Sequence, residues 1–515
     1  MASWDHGYVT DVNYPSSFQR ETTPSWLGLA GLLTGHRPPD LTRPFRYADL
    51  GCGAGFTTVA VAAACAEAEV WGFDFNPGHV ETARRLAARA GLGNVTFIEA
   101  SFADLARRAD GDLPEFDFIV AHGVLSWVSA ENRRHVIELI GRRLRPGGLA
   151  YLGYNTMTGW ASMVPIRSLM RMLAEGRSDL AIPGILDILD RIKQAGARYF
   201  ELHQHSLDRQ LALMRKFDAR YLAHEYLSED WHPLMFADVA ELMAEAKCTF
   251  IGSAELSDNV DTLSLPAGFL PLVAEAEDVY VKETLRDIGR AQTFRRDIYR
   301  RGVAPLLPGE YRALIDSVSI VGLGVPTRDE ITFTIPYGVL TGLPEIYQPL
   351  LAMLDGAPVT FAEAQKSAGL ANRAPTEVAQ ALSLLVAGGY ALPGLPQGVS
   401  AEARRTSRAF NLAIAETTGS GGELTQLAAP AVGAAIPAEV IEVFVVGAIL
   451  EGRSSEVDGL SDHVLAQLAR SGRAPQQDGK PAANPAEARR MAADIVRATL
   501  GRRARAFGLL GILNE

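Results

Sequence analysis

Cysteine is scarce in this chain, with three in 515 residues: Cys52, Cys65 and Cys248. Three cysteines cannot build a disulfide framework, and no pair has metal-ligand spacing, so a reducing compartment is expected. Long apolar runs are missing too. The N-terminus has no basic region followed by an apolar stretch, so no signal peptide is read there. Stretches such as residues 443–450 fall far short of the ~18 residues a membrane span needs. Together these absences predict a cytoplasmic protein with no membrane span. An excess of positive charge is also lacking. Lys and Arg number 49 against 60 Asp and Glu, a net charge of −11, which argues against general nucleic-acid binding. No internal repeat is visible. What remains is ordinary globular composition, 48% hydrophobic and 21% charged. At ~100–200 residues per domain, the length suits two to four domains.

Residues 1–45 form a polar segment broken by Pro15, Pro24, Pro38, Pro39 and Pro44, with a short helix over residues 26–33. From residue 46 the pattern becomes regular. Strands are read at 46–50, 70–73, 95–98, 116–121 and 149–153, and helices at 56–66, 77–90 and 133–144. Strands alternating with helices mean βαβ units and a parallel sheet covered on both faces. Residues 160–230 turn helical and read as an insertion placed like a lid. A helix at 236–247 and a late strand at 249–256 return to the sheet. The predicted division is therefore a cap segment (1–45), a core (46–159), the helical insertion (160–230), the end of the core with a further domain (231–330), and a mostly helical C-terminal part (331–515). Within that last part, residues 350–393 read as helices followed by a short apolar strand, a winged-helix-like pattern.

The densest chemistry lies in Asp49-Leu50-Gly51-Cys52-Gly53-Ala54-Gly55, which closes the first strand and opens the first helix. Gly51, Gly53 and Gly55 let the backbone turn tightly and let a ligand approach main-chain N–H groups. Asp74 ends the second strand, where an acid accepts hydrogen bonds from ribose hydroxyls. A dinucleotide fold usually reads G-x-G-x-x-G; here the spacing is G-x-G-x-G, and Asp49 would repel a pyrophosphate but attract an amino-acid ammonium. The constellation reads as an S-adenosylmethionine site.

Residues 46–153 resemble a class I S-adenosylmethionine-dependent methyltransferase, whose fold is a Rossmann-like seven-stranded sheet. Residues 49–55 match its first motif, and Asp74 its ribose-binding acid. Phe75 matches the residue that often packs on adenine. The resemblance puts the adenine edge at Ser101 and Phe102, and the floor of the methyl-transfer site at residues 121–127. Leu144-Arg145-Pro146-Gly147-Gly148 matches the turn before the fifth strand. A narrower resemblance, carried by residues 122–127, 153–160, 221–227 and 294–296, is to bacterial methyltransferases with a methyltransferase regulatory domain, a group that includes lysine methyltransferases of outer-membrane proteins. The Asn/Asp-Pro-Pro-Tyr/Phe motif of many amino-group methyltransferases is replaced here by His122-Gly123-Val124-Leu125.

His122 is a candidate to orient or deprotonate a nucleophile, or simply to hydrogen-bond behind it. Trp127 and Trp160 could wall a channel for a lysine stem or pack the core. Tyr154 and Asn155 end the fifth strand, where the substrate or a lid would touch them. Tyr14 and Arg20 could close over a cofactor carboxylate or form a surface arm. His203, His205 and Asp208 do not make a metal site, and methyl transfer from a sulfonium needs none. Three functions stay open at this point: a protein-lysine methyltransferase, a methyltransferase of a small molecule, and a non-catalytic cofactor-binding protein.

Overall fold

The computed structural model describes residues 17–109, 111–174, 181–302, 305–325, 330–367, 369–453, 455–477 and 480–513. Seven strands form one sheet: β1 (Arg46–Leu50), β2 (Glu69–Asp74), β3 (Val95–Glu99), β4 (Phe116–His122), β5 (Leu144–Asn155), β6 (Cys248–Ser253) and β7 (Phe294–Arg301). Their order is β3-β2-β1-β4-β5-β7-β6. β1 to β5 pair in parallel, and β7 runs antiparallel between β5 and β6. The sheet is the Rossmann-like arrangement expected of the class, and its helices include α1 (Pro24–Leu33), α2 (Phe56–Ala64), α3 (Pro77–Arg89), α4 (Phe102–Arg107) and α5 (Ala130–Arg143).

Register gathers the chemistry on one edge. Asp49 stands opposite Gly72 and Val120, Asp74 opposite Glu99, and His122 opposite Gly153. The crossover direction reverses between β1 and β4, so the loops after these strands part and leave a crevice at their carboxyl ends. Local capping fixes where the helices begin. Asn76 Oδ1 accepts from Gly78 N at 2.9 Å with Pro77 at the first helical position, and Ser101 Oγ accepts from Asp104 N at 3.1 Å.

Two strands depart from expectation. β5 begins at Leu144, before Pro146-Gly147-Gly148, because a bulge opposite Phe116 to Phe118 absorbs the extra residues. β7 was not foreseen, because its sequence, Phe-Arg-Arg-Asp-Ile-Tyr-Arg-Arg, looks like a solvated segment. Two of its charges, Arg295 and Asp297, are instead buried and paired. Arg295 donates to Asp297 Oδ1 at 2.7 Å, to Asp287 Oδ1 at 2.6 Å and to Glu283 Oε2 at 2.8 Å.

After β5, helices α6 (Val164–Ala174), α7 (Ile182–Gln194), α8 (Gln204–Met214) and α9 (Ala219–Leu227) share an apolar cluster of their own, including Trp160, Met170, Leu189, Leu211 and Trp231. α10 (Phe236–Glu245) and α11 (Val279–Arg290) then cover β6 and β7. The last third is mostly helical, and it is not a separate appendage. Every residue of α2 is buried, because helix Ala401–Gly419 lies on its outer face and donates from Thr406 Oγ1 and Ser407 Oγ to Ala63 O, at 2.7 and 3.1 Å. The short strand Ala391–Pro393 pairs with Ser319–Gly322, some seventy residues upstream, in a three-stranded sheet. α1 is held between the two halves by Trp26 Nε1 donating to Ala254 O at 2.7 Å and Ser25 Oγ donating to Val432 O at 2.6 Å. Among the described residues no helix is long and apolar enough to cross a membrane.

Candidate active site

A cavity of about 620 Å³ opens at the carboxyl edge between β1 and β4. It has two ends. At one, the glycine turn meets Asp49, Asp74, Phe75, Ser101 and Phe102; at the other, Trp127, Asn155, Trp160, Tyr221, Glu225 and Asp230 close the wall. His122 lies between them.

The glycine turn is shaped by what it must avoid. Gly55 has φ 72°, and a Cβ there would stand 2.5 Å from Ala83 Cβ and 2.9 Å from Phe97, so the residue keeps α2 tight against the sheet. Gly53 has φ 55° and no atom within 4 Å of a would-be Cβ, so any side chain there would enter the cavity. Its amide donates to Asp74 Oδ2 at 2.8 Å, while Asp74 Oδ1 accepts from Asn76 N at 2.9 Å. The aspartate thus ties the turn to the β2 end and keeps its oxygens at the cavity rim. Asp49 accepts from Thr58 Oγ1 at 2.7 Å, and burial pushes its carboxyl up to about 7.

His122 Nδ1 and the Tyr151 hydroxyl share a hydrogen bond of 2.8 Å. Desolvation, helped by the nearby Arg296 cation, pulls the imidazole down to about 4. A ring with that value is neutral near pH 7 and too weak a base to hold an amine's proton. Its geometry suits a neutral hydrogen-bonding group.

Most sequence-predicted residues come together here: Asp49, Gly51, Gly53, Gly55, Asp74, Phe75, Ser101, Phe102, His122, Trp127 and Asn155 all line the cavity. Two do not. Side chains alternate along β5, so Asn155 faces the cavity while Tyr154 faces the opposite side, where its hydroxyl donates to Asp297 Oδ2 at 2.6 Å. Arg20 is also turned away. It donates to Glu21 and to Ala387 O, both at 2.9 Å, and sits 4.7 Å over the Trp26 ring. Its neighbours Ser17, Gln19 and Thr22 line the cavity instead. Tyr14 lies outside the described residues.

Sequence reasoning missed Glu225, Asp230, Phe294 and Arg296 as cavity residues. The available signal was that residues 221–227 and 294–296 stood out as motifs without an assigned role. The lid-like place of the insertion was expected, but the long interval from the glycine turn concealed which of these residues reach the cavity. Among the described residues no group of three or more His, Cys, Asp or Glu is arranged to hold a metal ion, and Asp208 is paired with Lys193 at 2.7 Å.

Comparison with known proteins agrees with this geometry. A family model described as a methyltransferase domain matches residues 48–148, and one described as a predicted methyltransferase regulatory domain matches residues 218–301. An uncharacterized protein of Synechocystis sp., sll1526, is 33% identical over 444 residues, covering 85% of this chain and 87% of its own. A trans-aconitate 2-methyltransferase of Methylobacterium nodulans is 33% identical over 148 residues, 29% of this chain and 48% of that enzyme. Among solved structures, PKMT2 from Rickettsia typhi in complex with AdoHcy superposes with a TM-score of 0.70 at 19% identity, over 96% of this chain and 99% of that one. Shared ancestry over most of the length, the two matched domains and the sheet order lead to one conclusion: the chain belongs to the class I S-adenosylmethionine-dependent methyltransferases that carry a methyltransferase regulatory domain.

Proposed function

We propose that this methyltransferase acts on the side-chain amine of a lysine in a protein substrate. The observation that carries the reading is the chemistry of the acceptor end, where Glu225 and Asp230 stand with the aromatic rings of Trp127, Trp160 and Tyr221. Carboxylates and ring faces attract an ammonium group. The family resemblance includes protein-lysine methyltransferases, and the fold match to PKMT2 from Rickettsia typhi is in keeping with it.

The residues present fit S-adenosylmethionine. Asp74 would take the ribose hydroxyls, and Asp49 the ammonium of the methionine part. Phe75, Ser101 and Phe102 would flank the adenine, Gly53 leaves open the space that a Cβ would fill, and Gly51 and Gly55 let the turn pass close to Val124, Ala83 and Phe97. When bound, the cofactor supplies a methyl group on an already cationic sulfur. The chain's own task is to align the acceptor, exclude water and obtain a neutral amine. A lysine amine has a pKa near ~10.4 in water, and a low-polarity channel lowers it. His122, held neutral, adds a hydrogen bond without adding charge.

This assignment of Asp49 has a pH consequence. A carboxyl poised at about 7 must lose its proton before it can meet an ammonium. Below that pH the cofactor's affinity is expected to rise about tenfold per pH unit, and binding should release a proton. Calorimetry in buffers of different ionisation heat reads the proton directly. In Asp49→Asn the slope should vanish; a slope that persists there removes Asp49 from the ammonium site.

The substrate class is tested with purified enzyme, labelled S-adenosylmethionine and a cell lysate. Methyl-lysine in protein, found by mass spectrometry alongside S-adenosylhomocysteine, is the expected product. A second reading, methylation of a small carboxylic acid, draws on Arg296 in the cavity wall and on the relatives named as trans-aconitate 2-methyltransferases. Turnover of such an acid with no methyl-lysine would favour it.

A further inference from the structure

Buried carboxylates in this chain almost always meet a basic side chain. Glu21 pairs with Arg20, Asp74 with His79 and Asp258 with Arg290. Glu283, Asp287 and Asp297 share Arg295, and Glu442 pairs with Arg503. Among the described residues two buried acids have no such partner, Asp49 and Glu225, and both line the same cavity. Burying a carboxylate without a cation is costly, and such groups concentrate at functional sites. Asp49 serves the cofactor end in the reading above. Glu225 serves no partner so far described.

We infer that Glu225 receives the acceptor's ammonium group and takes its proton, with Asn155 holding the carboxylate in position. The inference rests on the amine reading of the acceptor. Glu225 is 7% exposed and accepts from Asn155 Nδ2 at 3.4 Å. Asn155 is itself fixed. Its amide donates to Ser126 Oγ at 2.9 Å, and its carbonyl accepts from Leu234 N at 2.8 Å. α9, which carries Glu225, lies in the stretch matched by the regulatory-domain model, so that domain contributes a reacting group rather than only covering the site.

The charged and titratable groups facing Glu225 leave it available. Arg167 of α6 favours its ionised form but forms no ion pair with it; it donates to Ser228 O and lies 4.9 Å over the Trp231 ring, with its Nε unpartnered. Tyr221 and Tyr226 of its own helix have hydroxyls pushed above their ordinary range by burial, so they stay neutral. Asp230 pairs with His232 at 3.2 Å. Burial raises the Glu225 carboxyl to about 7, opposed by Asn155 and Arg167, which suits a group that must both accept and release a proton near neutral pH. In the step, one N–H bond breaks and one O–H bond forms, and the electron pair stays on nitrogen. The proton leaves later to solvent, matching the one proton that methylation of an ammonium sets free.

The test uses the full chain as wild type, Glu225→Gln and Glu225→Asp. Tryptophan fluorescence, from Trp127 and Trp160 in the wall, follows binding of n-butylamine against n-butanol as probes without cofactor. The wild type should prefer the amine, and Glu225→Gln should lose that preference by about tenfold or more while keeping its melting temperature and its cofactor affinity. With lysine substrate, kcat/KM should fall by about 10²–10⁴ in Glu225→Gln, the acidic limb of the pH profile should move, and Glu225→Asp should recover part of the rate. If Glu225→Gln melts early, the aspartate variant carries the test, with its acidic limb expected at a changed pH. A lysine-methylating wild type matched by its variants in amine preference and pH profile overturns the role of Glu225 alone. A wild type that neither prefers the amine nor forms methyl-lysine overturns the acceptor reading beneath it.

Discussion

Arg295→Ala should lower the stability of the fold by about 3–5 kcal/mol, the cost of removing one partner from a buried ionic group. The guanidinium is 4% exposed and makes short contacts with Glu283, Asp287 and Asp297, while Tyr154 donates to the same Asp297. It also lies 4.5 Å over the Phe236 ring, joining β7 to α10 and α11. Without it, Asp287 and Asp297 stay buried with no cation, while Glu283 keeps only Arg286. Burial then raises their folded pKa values above the unfolded ones. A group of that kind retains its stability below the unfolded pKa and loses it as pH rises through the folded one. The deficit should therefore be larger at pH 8 than at pH 5. Urea unfolding at the two values measures it, and an unchanged midpoint in the variant at pH 8 would show that the network contributes little.

Asp74→Asn should weaken S-adenosylmethionine binding by about 2–4 kcal/mol, roughly 30- to 1,000-fold in Kd, because hydrogen bonds to a charged acceptor are replaced by weaker ones to an amide. Asparagine keeps the size of the side chain, and its carbonyl can still accept from Gly53 N or Asn76 N, so the turn retains an anchor. The loss should then appear in cofactor affinity rather than in melting temperature. Calorimetry decides the matter: wild-type affinity in the variant refutes the ribose assignment, and an equal loss with a nucleoside lacking the ribose hydroxyls shows that the aspartate acts only through the turn.

Legibility followed sequence distance. The first-motif glycines, Asp49 and Asp74 are close in the chain, and each belongs to a strand end whose local pattern is unambiguous. Their meeting in one cavity needed only the parallel βαβ rule. Tyr154 and Asn155 show how a finer prediction fails. Both end β5, but the pleat sends adjacent side chains to opposite faces, and only Asn155 reaches the cavity. Arg20 fails for another reason. A basic residue near a cofactor cleft invites an anion, yet a carbonyl some 370 residues away, at Ala387, and the Trp26 ring already occupy the guanidinium. β7 escaped because five charges in eight residues usually mark a solvated segment, and nothing local says that α11 supplies two matching acids, Glu283 and Asp287.

The amino-acid sequence alone determined the class of the core and its cofactor, since glycines and carboxylates at strand ends need no distant partner to make sense. Tertiary structure alone decided which face of β5 lines the cavity, that the C-terminal third is packed onto α2, and that Glu225 of the insertion meets Asn155 of β5. Those outcomes depend on burial and on pairings between residues far apart in the chain, and a local pattern carries neither.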